Sequence, residues 1–142
     1  MPTRTAQARW EGKFKNGSGT MKFGNGAYEG RYSAGSRFEN AEGTNPEELI
    51  AAAHAGCFSM ALAVTLEHAG YSPTDIQTRA DVQIQKVGEG FSITNILLST
   101  MAQVPGVSAD EFQKLAEITK KNCPVSKVLA GASIQLKAEL KR

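Results

Sequence analysis

Eighteen consecutive residues, Leu49 to Leu66, contain no Asp, Glu, Lys or Arg, and nearly every side chain from Ile50 onward is apolar or small. The run is close to the length of a membrane span. It is nevertheless rich in alanine and carries His54, Gly56, Ser59 and Thr65, which favours a buried helix over a lipid-facing one. Its start is punctuated as helices are. Asn45 suits the cap, Pro46 the first helical position, and Glu48 the third, as in a capping box. Glu47 and Glu48 also favour the positive end of the helix dipole. The helix is expected to run to Ala69 and stop at Gly70, with Pro73 beyond, a length of roughly 36 Å. A helix that is apolar all round must be buried on all sides. A chain of 142 residues can hardly wrap it alone, so a second subunit is expected to cover part of it.

The remaining elements surround this helix. Ala6, Ala8, Trp10 and Phe14 alternate with polar residues as in a half-buried strand. Asn16-Gly17 and Asn25-Gly26 are hairpin-type turns, with strands expected at Thr20–Phe23 and Tyr28–Tyr32 and a short strand extension at Ser36–Phe38. After the helix, Ala80, Val82 and Ile84 alternate with polar neighbours. Phe91 to Val104 carries branched residues on both faces, as a central strand does. Ser108-Ala109-Asp110-Glu111 caps a helix whose stripe is Phe112, Leu115, Ala116 and Thr119, running through Lys121. Cys123-Pro124 opens a short helix ended by Gly131, and Ala132 to Lys141 alternates as the last strand. The order of strands, long helix, strands, helices and strand is that of one α+β domain, residues 1–142.

Composition narrows the function. The net charge of +2 argues against partners such as nucleic acid or an anionic membrane. The N-terminus, Met1-Pro2-Thr3-Arg4-Thr5, has no apolar run behind its charge, so no signal peptide is read there and the expected location is cytoplasmic. Thiols are kept reduced in that compartment. The two cysteines, Cys57 and Cys123, are too few for a disulfide scaffold or a closed zinc site, and His54 and His68 are too far apart in sequence to suggest a metal centre. No cofactor is expected. Two thiols that cycle are the remaining possibility.

On local grounds Cys123 is the more reactive thiol. It precedes Pro124 at a helix start, which stabilises thiolate, and Lys120 and Lys121 act the same way. The alternative is a small cysteine that only packs. Cys57 lies mid-helix among apolar neighbours, where burial raises a thiol pKa. His54, one turn earlier, reads as a hydrogen-bonded core histidine. A cation brought to Cys57 would change its standing, but the residues alone do not choose Arg37 over Arg31 or Arg79.

The segment Gly35-Ser36-Arg37-Phe38-Glu39, followed by Gly43-Thr44-Asn45-Pro46-Glu47-Glu48-Leu49 and Ala52-Ala53-His54-Ala55-Gly56-Cys57-Phe58-Ser59-Met60-Ala61-Leu62, resembles the OsmC/Ohr family of thiol peroxidases. Asn122-Cys123-Pro124-Val125-Ser126 resembles the family's second cysteine motif. The likeness spans essentially the whole chain, and Ser36-Arg37-Phe38-Glu39 leans toward the OsmC branch. It implies an OsmC-like fold with antiparallel sheets packed on a long central helix, in an intertwined homodimer.

The resemblance also implies a reaction: reduction of organic hydroperoxides, and less efficiently hydrogen peroxide, in response to oxidative or osmotic stress. Cys57 would be the peroxidatic thiol and Cys123 the resolving one, forming an intramolecular disulfide. An external dithiol, possibly the lipoyl group of a lipoylated protein, would reset the pair. Arg37 would hold Cys57 as thiolate and Glu47 would orient Arg37. The apolar side chains of Phe58 and Met60 would wall the substrate site. Glu47 and Cys57 stand about 15 Å apart along one helix, so the Arg37–Glu47 pair serving a given Cys57 is expected to come wholly or partly from the other subunit. Two other classes compete with this reading: an apolar-ligand-binding dimer with no catalysis, and a purely structural protein whose cysteines only pack.

Overall fold

The structure is a computed structural model and describes residues 1–141. The chain falls into two compact units, Met1–Leu49 and Ile50–Arg142. In the first, β1 (Ala6–Glu11), β2 (Ser18–Phe23) and β3 (Glu29–Tyr32) form an antiparallel sheet in that order. β1 stops well short of Phe14 and is largely exposed, with only Trp10 partly buried. Gly12, at φ 92°, breaks the extended run, and the Trp10 indole donates to the Gly12 carbonyl at 3.0 Å. Trp10 packs on Tyr32, ring centroids 5.4 Å apart.

The expected strand at Ser36–Phe38 is instead part of a helix, α1 (Ala34–Phe38). Ser33 and Ser36 cap it reciprocally. The Ser36 N–H donates to the Ser33 Oγ at 3.0 Å, and the Ser33 N–H donates to the Ser36 Oγ at 2.9 Å. A serine thus takes the N3 place usual for Glu or Gln, which is why the signal escapes a reading by periodicity.

The long helix α2 spans Pro46–His68. As expected, Asn45 caps it: its Oδ1 accepts from the Glu48 N–H at 2.8 Å, and its Nδ2 donates to the Glu48 carboxylate at 3.1 Å. Gly70, at φ 93°, ends it, and the Tyr71 N–H closes back on the Leu66 carbonyl at 2.9 Å.

The second unit sets β4 (Asp75–Val87), β5 (Gly90–Gln103) and β6 (Ser133–Leu140) in that order, with β5 central as its sequence implies. β4 and β5 are antiparallel, but β5 and β6 run parallel, which corrects the expectation of antiparallel sheets. The cause is the connection: α3 (Ala109–Asn122) and α4 (Pro124–Val128) lie between the two strands, and a helical crossover can return the chain in the same direction.

The core of this unit gathers on one stripe of α2. His54, Phe58, Leu62 and Leu66, four residues apart, are all fully buried. Phe58, Leu62 and Leu66 pack with Leu98, Ala102, Phe112 and Ala116. α2 has the length and hydropathy of a membrane span, yet within this unit it is a partly buried core helix. Hydroxyls fasten it to the sheet: Ser59 donates to Thr78 at 2.7 Å, and Thr78 lies 2.9 Å from Thr100. Two residues out of step with the buried stripe, about 200° round the helix, Ala52, Gly56, Met60 and Val64 are exposed, Met60 to 75% and Val64 to 48%.

Candidate active site

In the first unit, capping places α1 and the start of α2 so that Arg37 meets Glu47. The guanidinium grips the carboxylate as a fork: Nε lies 2.9 Å from Oε1 and Nη2 lies 2.8 Å from the same oxygen, with Nε 3.2 Å from Oε2. The Glu47 side chain is 8% exposed and that of Arg37 33%. The carboxylate also sits in the first turn of α2, where the helix dipole favours it. Beside Arg37, the side chains of Trp10, Phe14 and Tyr32 line an aromatic cavity of about 240 Å³. Phe58, expected as a wall of the substrate site, is instead wholly within the core, because it falls on the same stripe as Leu62 and Leu66.

In the second unit the two cysteines, 66 residues apart in sequence, bring their Sγ atoms to 3.1 Å. Both are free thiols. Cys57 is carried on α2 beside the buried stripe and remains partly exposed. Cys123 is fully buried because it continues the inward face of α3, after Phe112, Ala116 and Thr119. It closes α3 and is the N-cap residue of α4, where Pro124 follows. A disulfide needs a sulfur separation near 2.05 Å, so closure asks for a movement of about 1 Å.

The pair divides its acidity unequally. Burial pushes the Cys57 thiol up, and contact with the Cys123 sulfur adds to the rise, against a smaller opposing effect of the Val125 N–H. Burial acts upward on Cys123 too. There, however, the Cys57 contact, the Ser126 N–H and hydroxyl and the Val125 N–H outweigh it, and the thiol lies below its ordinary value. Within this unit the downward shift falls on Cys123, the direction that the helix-start argument implies.

The residues expected at the site thus assemble as two pairs, Arg37 with Glu47 and Cys57 with Cys123. Sequence reasoning assigned no role to Ser126. It stands three residues after an N-cap cysteine, the position from which a side chain reaches back toward the cap, and that spacing was the available signal. Its Oγ lies 2.7 Å from His54 Nε2. Burial lowers the His54 pKa, keeping the ring neutral at neutral pH. Among the described residues no three His, Cys, Asp or Glu side chains converge as metal ligands would.

Comparison with known proteins places this arrangement in context. The family described as OsmC-like protein matches residues 39–139. The chain is 48% identical to the peroxiredoxin OsmC of Escherichia coli (strain K12) over 139 residues, 97% of this chain and 96% of that protein. It is 33% identical to an organic hydroperoxide resistance protein of Xanthomonas axonopodis pv. citri over 63% of this chain and 62% of that protein. Among solved structures, an organic hydroperoxide resistance protein from Elizabethkingia anophelis superposes with a TM-score of 0.71 at 27% identity, covering 99% of this chain and 98% of that one.

Proposed function

That the chain belongs to the OsmC/Ohr family is the premise from which we propose its activity: it is a cysteine-based peroxidase that reduces organic hydroperoxides, and hydrogen peroxide less efficiently. The observation that carries this is the 3.1 Å approach of two free thiols 66 residues apart in sequence. The relatives named as a peroxiredoxin and as a hydroperoxide resistance protein support the substrate class. The family match runs across the boundary between the two units, in keeping with one functional domain.

The Cys57 thiolate attacks the distal oxygen of the hydroperoxide. The O–O bond breaks, the departing alkoxide takes a proton to become the alcohol, and Cys57 is left as sulfenic acid. Cys123 then attacks the Cys57 sulfur. An S–S bond forms, the S–O bond breaks, and the hydroxide leaves as water with the proton of the Cys123 thiol. An external dithiol, such as a lipoyl group, reduces the disulfide by thiol–disulfide exchange and is itself oxidised. Cys123, with its lowered pKa, is then the better leaving thiol.

Arg37 supplies the positive charge that Cys57 lacks locally, and Glu47 holds that guanidinium in one orientation. The protein acts as a homodimer in which the Arg37–Glu47 pair of one subunit serves Cys57 of the other. The exposed apolar side of α2 supports association, since a stripe of this kind is otherwise left in water. The aromatic cavity beside Arg37 suits an alkyl or lipid hydroperoxide, and the working location is the cytoplasm.

The test is peroxide consumption with an alkyl hydroperoxide against hydrogen peroxide, using dihydrolipoamide against thioredoxin as reductant. Cys57→Ser abolishes consumption. Cys123→Ser permits one turnover and blocks recycling. Mass spectrometry of the peroxide-treated protein detects a Cys57–Cys123 disulfide. Multiple turnover by Cys57→Ser at the rate of the unaltered protein overturns the reading.

A further inference from the structure

His54 is fully buried on α2, three residues before Cys57. Its Nε2 lies 2.7 Å from the Oγ of Ser126, itself buried on α4. Ser126 stands three residues after Cys123, the N-cap residue of α4, in the position from which a side chain reaches back toward the cap. Ser126 is thus bonded to the imidazole on one side and is near the resolving thiol along α4 on the other. The other ring nitrogen, Nδ1, is buried and has no hydrogen-bond partner among the described residues. A leucine on this core stripe would bury equally well and orphan nothing. A half-satisfied polar group in an otherwise consistent core marks a functional position.

The tautomer decides what Ser126 can offer. A serine hydroxyl has one proton. If that proton goes to His54 Nε2, only lone pairs face Cys123, and these favour the protonated thiol. If Nε2–H donates to the Ser126 Oγ instead, the hydroxyl proton is free to point at the sulfur and favours thiolate. In the second arrangement Nδ1 is an unpaired acceptor rather than an unpaired N–H, and buried orphaned N–H groups are the rarer kind.

Resting on the peroxidase reading, the geometry points to His54 as a positioning residue for the resolving thiol: its Nε2–H donates to Ser126 and turns the Ser126 hydroxyl onto Cys123, holding that sulfur as the thiolate that attacks the Cys57 sulfenic acid. In that step the Cys123–Cys57 S–S bond forms and the Cys57 S–O bond breaks. The departing hydroxide and the proton released when Cys123 ionised make one water, so the only oxidant is the hydroperoxide already consumed. The Cys123 pKa is lowered chiefly by the Cys57 contact, with Ser126 adding to it. The groups acting on that sulfur come from α2, as Cys57, and from α4, as the Val125 and Ser126 N–H groups with the Ser126 hydroxyl. On α3, Lys120 is paired with Glu117, while Lys121 and, on α4, Lys127 are exposed.

Two measurements test this. In a Cys57→Ser background, the thiolate absorbance of Cys123 is titrated with and without Ser126→Ala, His54→Leu and His54→Gln. Ser126→Ala and His54→Leu move the Cys123 ionisation midpoint to higher pH. His54→Gln, whose amide can present an N–H in place of Nε2–H, returns it toward the original. With both cysteines present, stoichiometric alkyl hydroperoxide is added and Cys57 sulfenic acid is trapped with dimedone. Below the midpoint, disulfide formation slows about tenfold in Ser126→Ala and His54→Leu, and trapped sulfenic acid accumulates. A midpoint unmoved by Ser126→Ala overturns the positioning role even if His54→Leu fails to fold. An unaltered protein that yields neither sulfenic acid nor disulfide overturns the peroxidase reading and the resolving step, while the titration still reports separately on the hydrogen-bond chain.

Discussion

Replacing Met60 by glutamate separates the helix's own packing from its proposed role in association. Met60 is 75% exposed in the single chain, so Met60→Glu removes no contact that holds the monomer together. A surface substitution of this kind shifts folding stability by no more than about 0.5 kcal/mol. The cost falls on the dimer. Fully burying a methionine side chain is worth about 1.5–3 kcal/mol. Three quarters of that remains to be gained in association, about 1–2 kcal/mol per protomer. Two-fold symmetry doubles it to about 2–4 kcal/mol, which is roughly 30- to 700-fold in Kd. Two carboxylates placed against an apolar stripe repel and resist desolvation, so the effect lies toward the upper end. Sedimentation velocity over a dilution series reads the Kd, and peroxide consumption on the same samples reads the activity per chain. Because Arg37 and Glu47 are proposed to act across the interface, activity falls in step with the dimer fraction. An unchanged Kd refutes the assignment of this stripe to the interface. A monomeric Met60→Glu protein with full activity refutes catalysis across it.

Four further outcomes follow from the geometry. Arg37→Lys keeps the charge but loses the fork on Glu47, and lowers kcat/KM for alkyl hydroperoxide by about tenfold or more; a loss smaller than twofold counts against the oriented guanidinium. Arg37→Met leaves the Glu47 carboxylate buried without its partner and costs about 1–3 kcal/mol in urea unfolding, discounted because the Arg37 side chain is a third exposed; a change below about 0.5 kcal/mol denies the pair a structural role. Phe58→Ala opens a cavity in the core of the second unit and costs about 3–5 kcal/mol by the same measurement. The His54 pKa is depressed in the folded state, so the unfolded chain binds the extra proton first. Stability from this group is complete above about pH 6.5 and declines as pH falls, by at most about 1.4 kcal/mol per unit. His54→Gln flattens that part of the urea-midpoint profile, and a slope that survives the substitution assigns it to other groups.

The parts legible in the sequence are those whose signals are local. The capped start of α2 at Asn45, its glycine stop, the capped start of α3 and the alternation of β6 depend on residues within a few positions of one another. α1 stands where the pattern suggests a strand extension, because its cap is a serine pair that no hydrophobic period announces. The parallel pairing of β6 with β5 departs from the antiparallel sheets that the resemblance implies, and strand direction, being set by the crossover, leaves no mark on the strand's own pattern. Within the site, the approach of Cys57 to Cys123 joins positions far apart in the chain, and spacing cannot reveal it. The His54–Ser126 contact joins two different helices in the same way. The burial of Phe58 was legible in principle, since it shares a four-residue stripe with Leu62 and Leu66. An evenly apolar helix hides which of its faces is inward.

The unequal acidity of the two thiols bears directly on how such a site must work. Reactivity of Cys57 toward peroxide requires thiolate, yet within its own unit Cys57 is the thiol pushed up and Cys123 the one held down. A negative Cys123 beside an unreacted Cys57 opposes the first step and favours the second, because a ready thiolate is then waiting for the sulfenic acid. The proposed first step therefore calls for a positive group at Cys57. Arg37 is suited to that, because Glu47 engages its Nε and Nη2 edge and a guanidinium carries five N–H donors in all. The carboxylate fixes one edge of the fork and leaves donors for a thiolate or a departing oxygen. In the proposed cycle a Cys57 with a raised pKa resists oxidation as a thiol, and the Arg37 charge proposed to come from the other subunit is what would make it a nucleophile.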